Sequence, residues 1–310
     1  GDWSSDVCSS DLYYLILNFN CKNVVMHHKK DTIVVPWDFS QIAEYALSHA
    51  IPISRILEND IAIVHIIDEG SVFSSSSRKR KEIENATQKL NEVSAKIISE
   101  HKIKPKVIVQ SGNIFNTINK IAEEENANMV IMGTHGMTGM QKITGSRALK
   151  VIVGSKVPYM VVQAPYEYRD NNDIVFPVDF RTENKEKLLW ANYMAKSFKS
   201  KIQIFTPNVT DELLKKRTTA NLNFAKKFLK ERNVLYEITT AVGKGNFAEE
   251  IIKFAHTINT NLILIMTTRN IGLQDYIVGT TEQYVISNSM KISVMCVNPR
   301  SDVYRTGGFG

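Results

Sequence analysis

Ile33-Val34-Val35-Pro36-Trp37-Asp38-Phe39 and Ile174-Val175-Phe176-Pro177-Val178-Asp179-Phe180 are two versions of one pattern, set 141 residues apart. In each, an apolar, largely β-branched run ends in proline, which has no N–H to give to a sheet ladder. An Asp-Phe step and a helical segment follow. Each copy therefore predicts strand, loop and helix, with an aspartate on the loop at the strand's carboxyl end. The succession beyond it also runs in parallel. Ile61–Ile67 and Lys201–Thr206 read as second strands, about Lys81–His101 and Asp211–Arg232 as long amphipathic helices, and Val107–Gln110 and Tyr236–Thr240 as third strands. Gly112-Asn113-Ile114-Phe115 and Gly245-Asn246-Phe247 each open a helix. Ile114, Ile118 and Ile121, like Phe247, Ile251 and Phe254, give those helices one apolar face. Met129–Met132 and Leu262–Met266 have the continuous hydrophobicity of a parallel sheet, and Tyr159–Val162 and Ser293–Val297 close the repeats. Strands alternating with helices predict α/β architecture in two tandem doubly wound domains.

Length and composition agree with two such domains. The chain has 310 residues, 43% hydrophobic and 23% charged, which excludes a disordered chain or a disulfide-stapled scaffold. Its 38 basic and 32 acidic residues leave a charge of +6, read here as a solvated surface. Cys8, Cys21 and Cys296 are odd in number and far apart, forming neither a disulfide framework nor a CxxC metal site, and they fit a reducing cytoplasm. No apolar run reaches the roughly 18 residues of a membrane span, and no signal peptide is expected. Ser4-Ser5-Asp6 recurs as Ser9-Ser10-Asp11 around Cys8, so residues 1–25 read as a non-native or disordered leader before Met26. The expected domains are 26–165 and 171–299, joined near Gln163–Asn172, with 300–310 as a tail.

Ligands of doubly wound sheets bind beyond the carboxyl ends of the strands. Two such ends stand out. One carries Asp38. The other, after Met132, carries Gly133-Thr134-His135-Gly136, then Gly139, and Gly145-Ser146-Arg147 at a helix start. The glycines allow close backbone approach, and the helix start offers free N–H groups to an anion. A polyphosphate suits that loop, while Asp38 suits ribose hydroxyls or an adenine amine; the plainer role for Asp38 is helix capping.

These residues carry a resemblance. With His65-Ile66-Ile67-Asp68 and the Gly112-Asn113 helix start, they make the chain similar to tandem bacterial universal stress proteins (UspA-like) over residues 30–299. The resemblance implies an adenine nucleotide alpha hydrolase-like fold with a five-stranded parallel sheet per domain, pairing through the last strand, and, in one branch, ATP binding with an accompanying Mg. It implies Asp38 at the nucleoside, Ile66 at the adenine, and a G-x2-G-x9-G-S/T motif at Gly133, Gly136, Gly145 and Ser146. Pro36, beside Asp38, and Arg147, after Ser146, complete the expected cofactor-binding set. Eight residues rather than nine separate Gly136 from Gly145, and Trp37 is expected close to the nucleoside. In the second repeat Thr267 and Asn270 stand for Gly133 and Gly136, Thr206 for Ile66, and only Gly279-Thr280 survives, so that domain is expected not to bind.

Enzyme signatures are lacking: there is no G-x-x-x-x-G-K-[ST], H-E-x-x-H or G-x-S-x-G. His135 reads as a packing residue, with slow ATP hydrolysis left open, and His27-His28 as no metal site. Ser74–Ser77 before Arg78-Lys79-Arg80-Lys81 reads as a solvated connector with no nucleic-acid partner. Two functions follow: an ATP-binding stress-response protein, or a nucleotide-free dimerisation and interaction module of the same fold. In either, the repeats are expected to form an intramolecular pseudo-dimer in which Val161 and Val162 meet Met295 and Val297, with a homodimer as a further option and no membrane.

Overall fold

The computed structural model describes residues 30–68, 76–134, 145–153, 155–169, 172–181, 184–267 and 281–298. In the first repeat, strands β1 (Thr32–Pro36), β2 (Asp60–Ile67), β3 (Lys106–Ser111), β4 (Ala127–Gly133) and β5 (Tyr159–Val162) alternate with helices α1 (Gln41–Leu57), α2 (Ser76–His101), α3 (Ile114–Glu124) and α4 (Gly145–Ile152). The second repeat supplies β6 (Ile174–Pro177), β7 (Ile202–Thr206), β8 (Tyr236–Thr240), β9 (Leu262–Met266) and β10 (Ser293–Val297). Its helices are α5 (Asn184–Phe198), α6 (Glu212–Glu231), α7 (Phe247–Thr257) and α8 (Thr281–Ile286). The expected α/β fold is present in both copies. Helix α2 starts five residues ahead of the predicted Lys81, so the basic run Arg78–Lys81 lies within the helix rather than in a connector.

All ten strands form one sheet in the order β3-β2-β1-β4-β5-β10-β9-β6-β7-β8. Pairing is parallel within each repeat and antiparallel between β5 and β10, where Val161 faces Val294 and Met160 faces Met295. The repeats thus join through their last strands, with Val294 rather than Met295 or Val297 opposite Val161. One apolar cluster runs across the junction beneath α3, α4, α7 and α8, including Val34, Val130, Val161, Val294, Ile263 and Val175. Ile33 and Val35 alternate to the other face, where they are fully buried.

The residue after each last strand reaches into the other repeat. Gln163 donates to the Ile286 carbonyl at the end of α8 (3.1 Å), and Asn298 donates to the carbonyls of Ile152 and Ser155 (2.8 Å to the latter) beyond α4. Helix ends leave four carbonyls without intrahelical partners, so each repeat caps a helix of its neighbour. Among the described residues no helix is long and apolar enough to cross a membrane.

Candidate functional site

Strand β1 continues one step past its proline: the Trp37 N–H donates to the Val64 carbonyl at 2.7 Å. His65 Nδ1 hydrogen-bonds the Trp37 carbonyl, also at 2.7 Å, which pins the turn. Phe39 then adopts φ 62°, a region uncommon for a bulky side chain, and its ring lies 4.9 Å from that of His65. The reversal presents Asp38 at the surface. Asp38 Oδ1 accepts from the backbone N–H (3.0 Å) and hydroxyl (2.5 Å) of Ser40, which in turn caps α1 by accepting from Ala43 N–H. Asp38 therefore supports the cap through Oδ1. Its Oδ2 makes no hydrogen bond with the described residues and is left for a ligand.

Pro36, Asp38, Ile66 and Gly133 line one cavity of about 70 Å3, with Ile42, His65, Ile114 and Met132 among their neighbours. Four of the eight expected residues are thus brought together at the carboxyl ends of β1, β2 and β4. Chain order places the start of α4 at this same end, since α4 follows β4 and leads back to β5. Gly145, Ser146 and Arg147 are its first three residues; their side chains, and Gly136 entirely, lie outside the described residues, as does His135. Trp37, expected close to the nucleoside, is 5% exposed and lines the same cavity beside Pro36 and Asp38.

Gly133 is needed for packing. A Cβ built there would lie 2.1 Å from Ile42 Cγ2 and 2.4 Å from the Ile42 carbonyl oxygen, so its absence is what lets α1 approach β4. Asn113 caps α3 by accepting from Phe115 N–H, and Ile114 and Ile118 of that helix form the cavity's far wall.

The second repeat holds a different arrangement at the matching place. Arg181 Nε donates to Asp179 Oδ2 (2.8 Å) and Arg181 Nη1 to Glu282 Oε1 (2.5 Å), with the Glu282 side chain only 5% exposed. Lys187, fully buried, donates to the Pro177 carbonyl and sits 4.6 Å from the centre of the Phe176 ring. Burial pushes its ammonium down to about 7. Phe205 stacks on Phe247 and Phe254, and only about 20 Å3 remains. Sequence reasoning missed this filling. Its signal was the replacement of Ser40 by Arg181 and Ala46 by Lys187, 141 residues on.

The strand registers also correct two correspondences. Pro36 pairs with Val64 and Pro177 with Phe205, so Thr206 matches His65, and Pro207 stands at the place of Ile66. Val34 pairs with Val130 and Val175 with Ile263, which puts Met266, not Thr267, at the place of Gly133. The offset between the copies is 141 residues at the first two strands and 133 at the fourth, and each sequence match is off by one residue from the paired register.

A five-strand half-sheet wound in the order β3-β2-β1-β4-β5, repeated and joined edge to edge, with a polar and apolar cleft at the first strand's end, defines a tandem doubly wound α/β protein. The model of the universal stress protein family matches residues 30–163 and 171–298, and the chain belongs to that family. Universal stress protein MJ0531 of Methanocaldococcus jannaschii is 31% identical over 164 residues, covering 50% of this chain and 93% of that protein. Universal stress protein MJ0577 of the same organism is 31% identical over 160 residues, 45% of this chain and 96% of that one. A crystal structure of a universal stress protein from Archaeoglobus fulgidus shares the fold across 88% of this chain and all of its own, with TM-score 0.72 and 20% identity.

Proposed function

We propose that this protein binds an adenine nucleotide, ATP by preference, in its first repeat, and acts in the cytoplasmic stress response by binding rather than by turnover. The observation that carries the reading is the convergence of Pro36, Asp38, Ile66 and Gly133 on one cavity, while the matching cavity of the second repeat is filled by Arg181, Glu282 and Lys187. Asp38 Oδ2 would take the nucleoside hydroxyls, Ile66 and Ile114 the base, and the backbone N–H groups at Gly145 and Ser146 the phosphates, favoured there by the helix dipole. A Mg ion would arrive with the phosphates; among the described residues no cluster of three His, Cys, Asp or Glu could hold a metal ion.

The narrowness of the first cavity favours a second reading, a nucleotide-free interaction module. Calorimetry with ATP separates the two. The first reading expects about one site per chain, affinity about tenfold or more weaker in Asp38→Asn, where a charged acceptor is lost, and unchanged affinity in Asp179→Asn. Chromatography of ligand released on denaturation would show the nucleotide directly. Absence of binding in the intact chain selects the interaction module.

A further inference from the structure

A larger cavity, about 250 Å3, lies between the repeats on the sheet face covered by α1 and α5, and shares no residue with the cleft at Asp38. Its walls are mostly apolar: Ile53, Met160, Met194, Phe198, Leu262 and Ile292. Two of these are methionines, flexible side chains that adapt to varied shapes. The chain segment between the repeats roofs it. His49 of α1 hydrogen-bonds the Ala164 carbonyl through Nε2 (3.1 Å), its ring meets Tyr166 edge-on at 5.4 Å, and Tyr166 N–H donates to Ser48 Oγ (2.9 Å). The volume exceeds the roughly 150 Å3 of an apolar cavity that takes up benzene, and falls just below the usual range of about 300–1,000 Å3 for small-molecule pockets.

The polar groups narrow the class of ligand. Arg169 is already held, donating to Asn259 Oδ1 (3.0 Å) and the Thr260 carbonyl (3.3 Å), with Glu167 at 3.6 Å, and Lys291 is exposed to solvent. Inside, burial keeps His49 neutral, pushing it down to about 4. Ser200, 9% exposed, lines the cavity with a buried hydroxyl that has no hydrogen-bond partner. An unpaired buried hydroxyl is costly, and a partner atom relieves it.

We propose that this cavity is a second ligand site, independent of the nucleotide cleft, for a small, uncharged, largely apolar molecule carrying one hydroxyl, which Ser200 engages. Because both repeats and the segment joining them form its walls, occupancy fastens the two halves together.

The test uses the full chain, with 2-naphthol, naphthalene and 2-naphthoate as probes in calorimetric titrations. One saturable 2-naphthol site per chain is expected, undisturbed by ATP. 2-Naphthoate, the same rings with a charge, should bind at least tenfold more weakly. Ser200→Ala should weaken 2-naphthol roughly 2- to 12-fold and leave naphthalene unchanged. Met194→Trp, filling the space, should abolish binding; should that variant fail to fold, Ser200→Ala still decides. The proposal is overturned by no saturable binding, by 2-naphthoate binding as tightly as 2-naphthol, by equal effects of Ser200→Ala on both uncharged probes, or by displacement with ATP.

Discussion

Adding a methyl group to Gly133 would place a carbon 2.4 Å from a backbone oxygen that cannot rotate away. Gly133→Ala should therefore cost about 1–3 kcal/mol, the usual scale for overpacking, as a lowered urea midpoint, and nucleotide affinity should fall with it as α1 and Asp38 shift. In the second repeat, the buried Lys187 makes stability depend on pH. Unfolded lysine keeps its proton to about 10.4, while folded Lys187 releases it near 7. Between those values the unfolded chain binds more protons, so stability rises with pH, and the charged form is a burden at and below neutrality. Lys187→Met should be more stable than wild type at pH 7 and should lose the rise towards pH 10, as read from urea titrations across that range. At this scale the sequence was legible where a residue type had one evident purpose. Pro36 is of that kind: it ends the first strand as its missing N–H predicts, and it leaves Asp38 on the loop beyond. Lys187, Arg181 and Glu282 were not, because Glu282 lies 101 residues from Arg181 and only the fold makes them neighbours.

Strands proved more legible than the joints between them. Tyr159–Val162, Tyr236–Thr240, Leu262–Met266 and Ser293–Val297 occupy the predicted bounds, because short apolar runs between turn residues leave little choice of conformation. Register is another matter. Insertions and deletions between strands change the offset of the copies by the fourth strand, and nothing in local patterning records this, so Met266 emerged only from the paired sheet. The reciprocal caps were equally hidden, since Gln163 and Asn298 are single polar residues at strand ends. Asn298→Ala should remove partners from the carbonyls of Ile152 and Ser155, costing about 1–3 kcal/mol. Hydrogen exchange should show the loss in α4 of the first repeat, although the substitution lies in the second.

Across the whole molecule, β5 and β10 close each other's edges, and an apolar cluster spans the seam. Residues 26–165 and 171–299 expressed apart should each expose a strand edge and apolar surface, and so self-associate or precipitate; sedimentation of the separate halves checks this, and stable monomers would contradict it. That the repeats would meet through their last strands followed from the family resemblance, while the cavity-roofing contact of Ala164 and Tyr166 with α1 was not legible at all. The antiparallel seam also sends the carboxyl ends of the two half-sheets in opposite directions, so the open cleft and the salt-bridged one lie at opposite ends of the sheet. In a symmetric dimer of identical single-repeat chains, every substitution occurs twice, and a mutation that closes one cleft closes both. Placing both copies in one polypeptide frees each from the other's sequence. Arg181, Lys187 and Glu282 could thus accumulate at one end while Asp38 and Gly133 persisted at the other, giving a molecule whose two ends follow separate evolutionary histories under a single shared sheet.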